Sequence, residues 1–370
     1  MTLLSISLAG CWNYREIDNL HMVSGFAVDK SKDGKFLITA ETVNISTGNQ
    51  NSTFAPLIFS AEGETMLDAI RNIIIVSGRK LYWSHAKAVI ISQDIAREGI
   101  IQVLDLITRD PEPRLELIVM ISKEKTAKEI FLLHNTESKL QGFEIDVLMK
   151  TQKSLSKTPT TKVYQLVNSL SNNKESVVLP TIGFVMNAGK KNIGLSGAAI
   201  FKKDKLVGFL DGEETKYVLF VKNQIRGGIL PLIKLGETSR SIISLEIFRN
   251  KTKIKPVYSN GKITINVDIK TRAAVDEQGT SATYIDPKSL RMLEKEAGKS
   301  LKNNIEDTIR KVQKKYGADI FGFGNEIKIT MPSLWKSIAH DWDSLYRDLD
   351  VEVKASIDIR NTGLTMIPIK

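Results

Sequence analysis

Between Ile263 and Lys270 apolar and polar residues alternate strictly, with Ile263, Ile265, Val267 and Ile269 set against Thr264, Asn266, Asp268 and Lys270. A period of two places one set on a buried sheet face and the other in water. The alternation returns at Val351, Val353, Ala355, Ile357 and Ile359, which predicts a second strand of the same kind. Between the two the period changes. Leu290, Leu293, Ala297, Leu301, Ile305, Ile309 and Val312 recur at intervals of three and four, behind Asp286 as a cap and Pro287 at the first helical position. The pattern predicts a long amphipathic helix ending at Gly317, about 45 Å in length at a rise of about 1.5 Å per residue. A second helical segment puts Leu334, Trp335, Ile338, Trp342 and Leu345 on one face. With a helix over 213–221, strands over 228–234, 241–249 and 252–258, and the turn Asn260-Gly261, these elements make 210–370 a C-terminal domain.

Upstream, β-rich stretches at 21–30 and 35–45 flank Lys32-Asp33-Gly34, a hairpin signal because the tight turn needs positive φ. From 54 onward strand and helix patterns alternate: strand 54–60, helix 64–77, strand 86–92, helix 96–108, strand 114–122 and helix 125–133. That is βαβ patterning, punctuated by Asp110-Pro111-Glu112-Pro113, and it predicts a self-contained α/β domain over 53–134. An isolated hairpin is marginally stable, so its partners are expected later. Following helix 142–150, a Ser/Thr/Lys-rich loop at 151–161 and helix 163–170, strands at 176–185, 194–202 and 206–209 supply them. The expected organisation is a discontinuous first α/β domain of 20–50 plus 138–208, the segment 53–134 inserted in it, and the C-terminal domain. The fold class is mixed, α+β with α/β character.

Composition adds little to the fold and more to the setting. With 42% hydrophobic and 25% charged residues over 370 positions the chain is ordinary globular protein. No apolar stretch approaches the ~20 residues of a membrane-spanning helix. The apolar run Leu3, Leu4, Ile6, Leu8, Ala9, then Gly10, precedes the single cysteine, Cys11. Leu8-Ala9-Gly10-Cys11 reads as a lipobox, with 1–11 as the signal segment and Cys11 as the residue that takes the lipid. The competing reading is a lone thiol acting as a small hydrophobe. One cysteine excludes an intrachain disulfide, and a diacylglyceryl group supplies the two chains that stable anchoring needs. The net charge of +10 fits nucleic acid or anionic lipid, and beside a lipid anchor the second is favoured. Lys295, Lys299, Lys302, Arg310, Lys311, Lys314 and Lys315 line the polar side of the long helix, either as a solvated face or as a surface for headgroups or a partner.

Catalytic signatures are lacking. His21, His85, His134 and His340 are scattered without ligand spacing, so no metal site is implied. Gly183 to Gly189 before Lys190-Lys191 misses the spacing and hydroxyl of a phosphate loop. Gly194-Leu195-Ser196-Gly197 misses the nucleophile elbow, and Gly322-Phe323-Gly324 lacks the third glycine of a dinucleotide loop. No cofactor and no catalytic residue is assigned, and the binding residues stay open.

Three runs and two tryptophans carry a resemblance. Cys11-Trp12-Asn13-Tyr14-Arg15-Glu16-Ile17-Asp18 directly after the lipobox, together with Asp319-Ile320-Phe321-Gly322-Phe323-Gly324, Trp335, Trp342 and Ile359-Arg360-Asn361-Thr362-Gly363-Leu364, resembles the Ger(x)C family of spore germination lipoproteins. The resemblance spans nearly the whole chain. It implies three domains, each a β-sheet flanked by helices, and a non-enzymatic C subunit of a nutrient germinant receptor. Such a subunit is lipid-anchored on the outer face of the spore inner membrane beside an A subunit and a multispanning B subunit, without nucleic acid. The alternative is a solute-binding lipoprotein of a membrane transporter, which needs a ligand cleft between two similar lobes. A cell-wall hydrolase would need a paired carboxylate or metal site that the sequence does not display.

Overall fold

Gly34, at φ +79°, closes the turn between β1 (Leu20–Lys30) and β2 (Phe36–Gly48). The left-handed conformation is the one that the Asp33-Gly34 pair predicts. The computed structural model describes residues 20–48, 51–133, 140–171, 176–235, 240–278 and 287–361. Next come β3 (Asn51–Gly63) and α1 (Met66–Ser77), whose first turn is capped by the Thr65 hydroxyl on the Asp68 amide at 3.2 Å. The chain continues through β4 (Lys80–Tyr82), β5 (Ala88–Ile91), α2 (Gln93–Glu98), α3 (Ile101–Arg109), β6 (Ile118–Ser122), α4 (Lys128–Leu132), α5 (Gln141–Thr151) and α6 (Val163–Ser171). Strands β7 (Val177–Asn187), β8 (Lys190–Lys202) and β9 (Lys205–Leu210) complete a nine-stranded sheet in the order β3-β2-β1-β5-β6-β7-β8-β9, with β4 beside the start of β1.

The centre of this sheet is parallel, because β5 pairs in parallel with β1 and β6, and β6 with β7. Parallel pairing requires crossovers, and crossovers put helices on both faces. Val89, Ile91, Val119 and Ile121 face α1, α2, α3 and α6, whereas Ala88, Ile90, Ile118 and Met120 face α4 and α5. The second layer is pinned by carboxylates from the sheet. Asp29 accepts from the amides of Ala127 and Lys128 at 2.6 and 2.9 Å, and Glu41 from Gln141 and Gly142, both at 2.8 Å. Each side chain thereby satisfies the free amides and positive end of a helix N-terminus.

Asp211 opens α7 (Gly212–Val221) with a capping box to Glu214. The second sheet follows as β10 (Ile229–Leu235), β11 (Arg240–Ser259) and β12 (Lys262–Gln278), then α8 (Pro287–Lys311). After α9 (Phe323–Thr330), α10 (Pro332–Ile338) and α11 (Trp342–Arg347) comes β13 (Asp350–Asn361), parallel to β12 in the order β10-β11-β12-β13. The predicted long helix is α8 extended by a π-helical turn, Val312–Tyr316, and stopped at Gly317 with φ +55°. Its stripe Leu293, Ala297, Leu301, Ile305 and Ile309 is buried on the sheet.

The mixed α+β class holds, and the described strands form two sheets where one per domain would give three. The segment 53–134, expected as an inserted domain, contributes β3, β5 and β6 to the same sheet as β1 and β7. Helix 96–108 is two helices, because Gly99 at φ +137° breaks the chain between α2 and α3. The stripe through Leu334 and Leu345 is likewise two short helices, α10 and α11, whereas the strands expected at 241–249 and 252–258 are one, β11. β4 has no counterpart in the sequence pattern. The two sheets share a core. Val178, Ala198, Ile200 and Leu210 of the first pack with α7, α8 and the second sheet, and the Tyr316 hydroxyl donates to the Phe209 carbonyl at 2.8 Å.

Candidate functional site

The sequence singled out Cys11, the run that follows it to Asp18, and His134; all lie outside the described residues, as do Thr362, Gly363 and Leu364. The other histidines are apart. His21 is buried against the Phe59 ring, its pKa pushed down by burial; His85 lies beside Tyr82, and His340 beside Asp341. Among the described residues no group of three or more His, Cys, Asp or Glu is placed to hold a metal ion. The glycine runs are backbone devices. Ala188 and Gly189 turn the β7–β8 hairpin at positive φ, and Gly197 sits at φ +91° where a Cβ would clash with the Leu210 carbonyl oxygen.

The late motif builds a structural knot. Asp319 accepts from the amides of Gly322, Phe323 and Gly324 at 3.0, 3.1 and 2.7 Å, holding the N-terminus of α9. Burial pushes the Asp319 carboxyl up against the opposing pull of those amides and of Lys222. Phe321 stacks on Phe323, and Trp335 meets Trp342 edge-on at 5.4 Å. Gly324 is required there, since a Cβ would stand 2.8 Å from the Trp342 ring. These residues lock three short helices together.

Two cavities among the described residues bear on function. A polar one of about 340 Å³ lies between the end of α8 and the start of β13, lined by Glu306, Arg310, Lys314, Arg347, Asp348 and Asp350. Its charges already pair with one another or with neighbours: Lys314 with Asp348 at 2.6 Å, Arg310 with Asp307 at 3.7 Å, and Asp350 with Lys262. The larger, about 750 Å³, is an apolar groove between α1 and α3, floored by Met66 and Leu106 and walled by Phe36, Leu67, Ile101 and Pro111. Leu67 and Ile101 are 44% and 57% exposed on its rim. The sequence showed each of these residues, but only the packing of α1 on α3 brings them into one groove.

Four of the seven cations named on the long helix meet a carboxylate, Arg310 at 3.7 Å from Asp307 among them. Lys311 bonds Glu214, Lys314 bonds Asp348, Lys302 lies 3.7 Å from Glu306, and Lys315 covers the Tyr316 ring. A ligand cleft between two similar lobes is not what the fold presents, since a nine-stranded and a four-stranded sheet are joined through a common core.

Comparison with known proteins covers both sheets. Residues 13–184 match the family described as spore germination protein N-terminal domain, and 196–363 the family described as spore germination B3/GerAC like, C-terminal. The chain is 26% identical to spore germination protein KC of Bacillus subtilis (strain 168), covering 100% of this chain and 96% of that protein. It is 25% identical to spore germination protein B3 of the same organism, covering 98% and 96%. The fold is similar to that of the GerBC protein in its crystal structure, with a TM-score of 0.60 at 23% identity over 91% of this chain and 97% of that one.

Proposed function

The chain belongs to the Ger(x)C family of spore germination proteins, and on that premise we propose that it is the C subunit of a nutrient germinant receptor. A lipid on Cys11 holds it to the outer face of the spore inner membrane, and it acts without catalysis of its own, by contact with the A and B membrane subunits. The lipobox supports the anchor. The apolar groove between α1 and α3 supports the contact and carries the reading: its exposed Leu67 and Ile101 form a surface suited to an apolar helix or loop of a membrane subunit.

Membrane fractionation with mass spectrometry of the mature N-terminus tests the anchor, comparing wild type with Cys11→Ala. Acylated Cys11 in the membrane fraction is the expected result, and an unmodified Met1 on a soluble chain overturns it. Leu67→Glu with Ile101→Glu tests the contact. Both positions are exposed, so the variant is expected to fold and stay anchored but to recover fewer multispanning proteins on pull-down from spores. Undiminished recovery would remove the groove from the interface.

A further inference from the structure

The four-stranded sheet gives one face to α8 and leaves the other in water, and the second face has an unusual charge order. Along β11, Arg249, Lys251, Lys253 and Lys255 follow one another on the open side. On β12, Arg272 stands directly across from Arg249 and Lys270 directly across from Lys251. Opposed side chains in a sheet are about 4.5–5.5 Å apart at Cβ, and like charges so placed repel. Compensation is sparse. Asp358 lies 3.6 Å from Arg272 but is shared with Arg360 at 2.7 Å, and Asp268 lies 3.8 Å from Lys270 while facing Lys253 in register. Among the described residues Arg249 and Lys251 have no carboxylate partner. A bulge between Ile247 and Arg249 adds an exposed aromatic, leaving Phe248 56% accessible next to this cluster.

We propose that this sheet face is the surface on which the chain lies against an anionic bilayer, with Arg249, Lys251, Lys270 and Arg272 on lipid phosphates and Phe248 at headgroup depth. A flat patch whose charges repel one another in the free protein is relieved by an extended anion, and a leaflet of anionic lipid has that shape and sign. The apolar groove provides no such complement, since its lining sets Glu64, Asp105 and Asp110 against Arg71 and Arg109. The inference takes its setting from the membrane location proposed above. Its test does not depend on the anchor.

The test is co-sedimentation of the full-length Cys11→Ala chain, which carries no lipid, with phosphatidylglycerol–phosphatidylcholine vesicles and with phosphatidylcholine vesicles alone. Selective binding to the anionic vesicles, lost at ~0.5 M salt, is expected. Arg249→Thr, Lys251→Thr, Lys270→Thr and Arg272→Thr together should lower partitioning about a hundredfold or more, at about fivefold per charge. Threonine suits a strand, and removing opposed like charges should keep the melting temperature at or above wild type. Lys295→Ser, Lys299→Ser and Lys302→Ser on α8 should change partitioning far less. Equal binding to neutral vesicles, binding indifferent to salt, or a fourfold variant that binds as wild type would each overturn the proposal. So would a variant that keeps vesicle binding but no longer recovers protein partners, which would assign the face to an acidic protein surface.

Discussion

Asp319→Ala isolates what the late motif contributes. The carboxylate is the acceptor for three amides, at 3.0, 3.1 and 2.7 Å, in a residue only 6% exposed. Removing it leaves those amides unpaired at about 1–3 kcal/mol each, less the desolvation cost relieved when the buried charge goes, for a net loss of about 3 kcal/mol. At about 2–4 °C per kcal/mol for a chain of this order of size, thermal unfolding of the full chain should fall by about 6–12 °C. Asp319→Asn keeps one acceptor oxygen but turns an NH2 group toward another amide, so it should fall by less. The pH dependence gives a second check. Burial raises the native Asp319 pKa above the unfolded value of about 3.9, so in the window between the two the native state holds the extra proton. That contribution to stability is complete below the unfolded pKa and is lost as pH rises through the native one. The Asn variant has no such titration. The gap between wild type and Asp319→Asn should therefore widen from about pH 7 to about pH 4. An Ala variant melting within ~2 °C of wild type would refute the reasoning about the cap, and a gap that narrows on acidification would refute the direction of the shift.

Gly324→Ala puts a Cβ 2.8 Å from the Trp342 ring and 3.0 Å from Trp335, and overpacking of this kind should cost about 1–3 kcal/mol in a denaturant titration. Glu213 should act in the opposite sense to Asp319. Burial pushes its carboxyl up, but bonds from Lys157 and Lys216 outweigh it and the net shift is downward. Its contribution is present above the unfolded pKa of about 4.3 and lost as pH falls through the native value, so the advantage of wild type over Glu213→Gln in melting temperature should shrink on acidification.

Elements whose pattern is local were legible, and elements decided by distant partners were not. The alternation in β12 and β13, the stripe of α8 and the Asp33-Gly34 turn each state their own geometry. Asn250-Lys251 reads as a break between strands, yet β11 runs through it. Asn250 and Thr252 both donate to the Phe220 carbonyl at the end of α7, a partner that no window of sequence around them contains. The capping carboxylates Asp29 and Glu41 act about a hundred residues away from their own position, and a buried acid in a strand announces nothing about which helix it holds. For the candidate surfaces the limit is similar. Leu67 and Ile101 look like core residues one at a time, and the opposition of Arg249 to Arg272 depends on a bulge that shifts register by one. Cys11 is the reverse case, legible in the sequence and outside the described structure.

The difference between the two sheets decides where a partner can sit. In the first, β1, β5, β6 and β7 are parallel, and each parallel step demands a crossover helix, so β5 and β6 are buried at every position. The parallel centre of the sheet has no free face and can offer only what its helices expose, the apolar rim of α1 and α3 among it. In the second, three antiparallel strands are followed by a fourth that returns after α8 and pairs in parallel with β12. That single return covers one face and leaves the other wet, as strict alternation along β12 requires. An apolar groove and a bare cationic sheet are therefore consequences of two ways of pairing strands. The core running from Ile200 and Leu210 through Phe220 to Leu293 fixes the angle between the units that carry them. Because that junction is apolar and continuous, relative movement of the two units would expose core, so a partner seated in the groove is held at a set orientation to whatever meets the sheet.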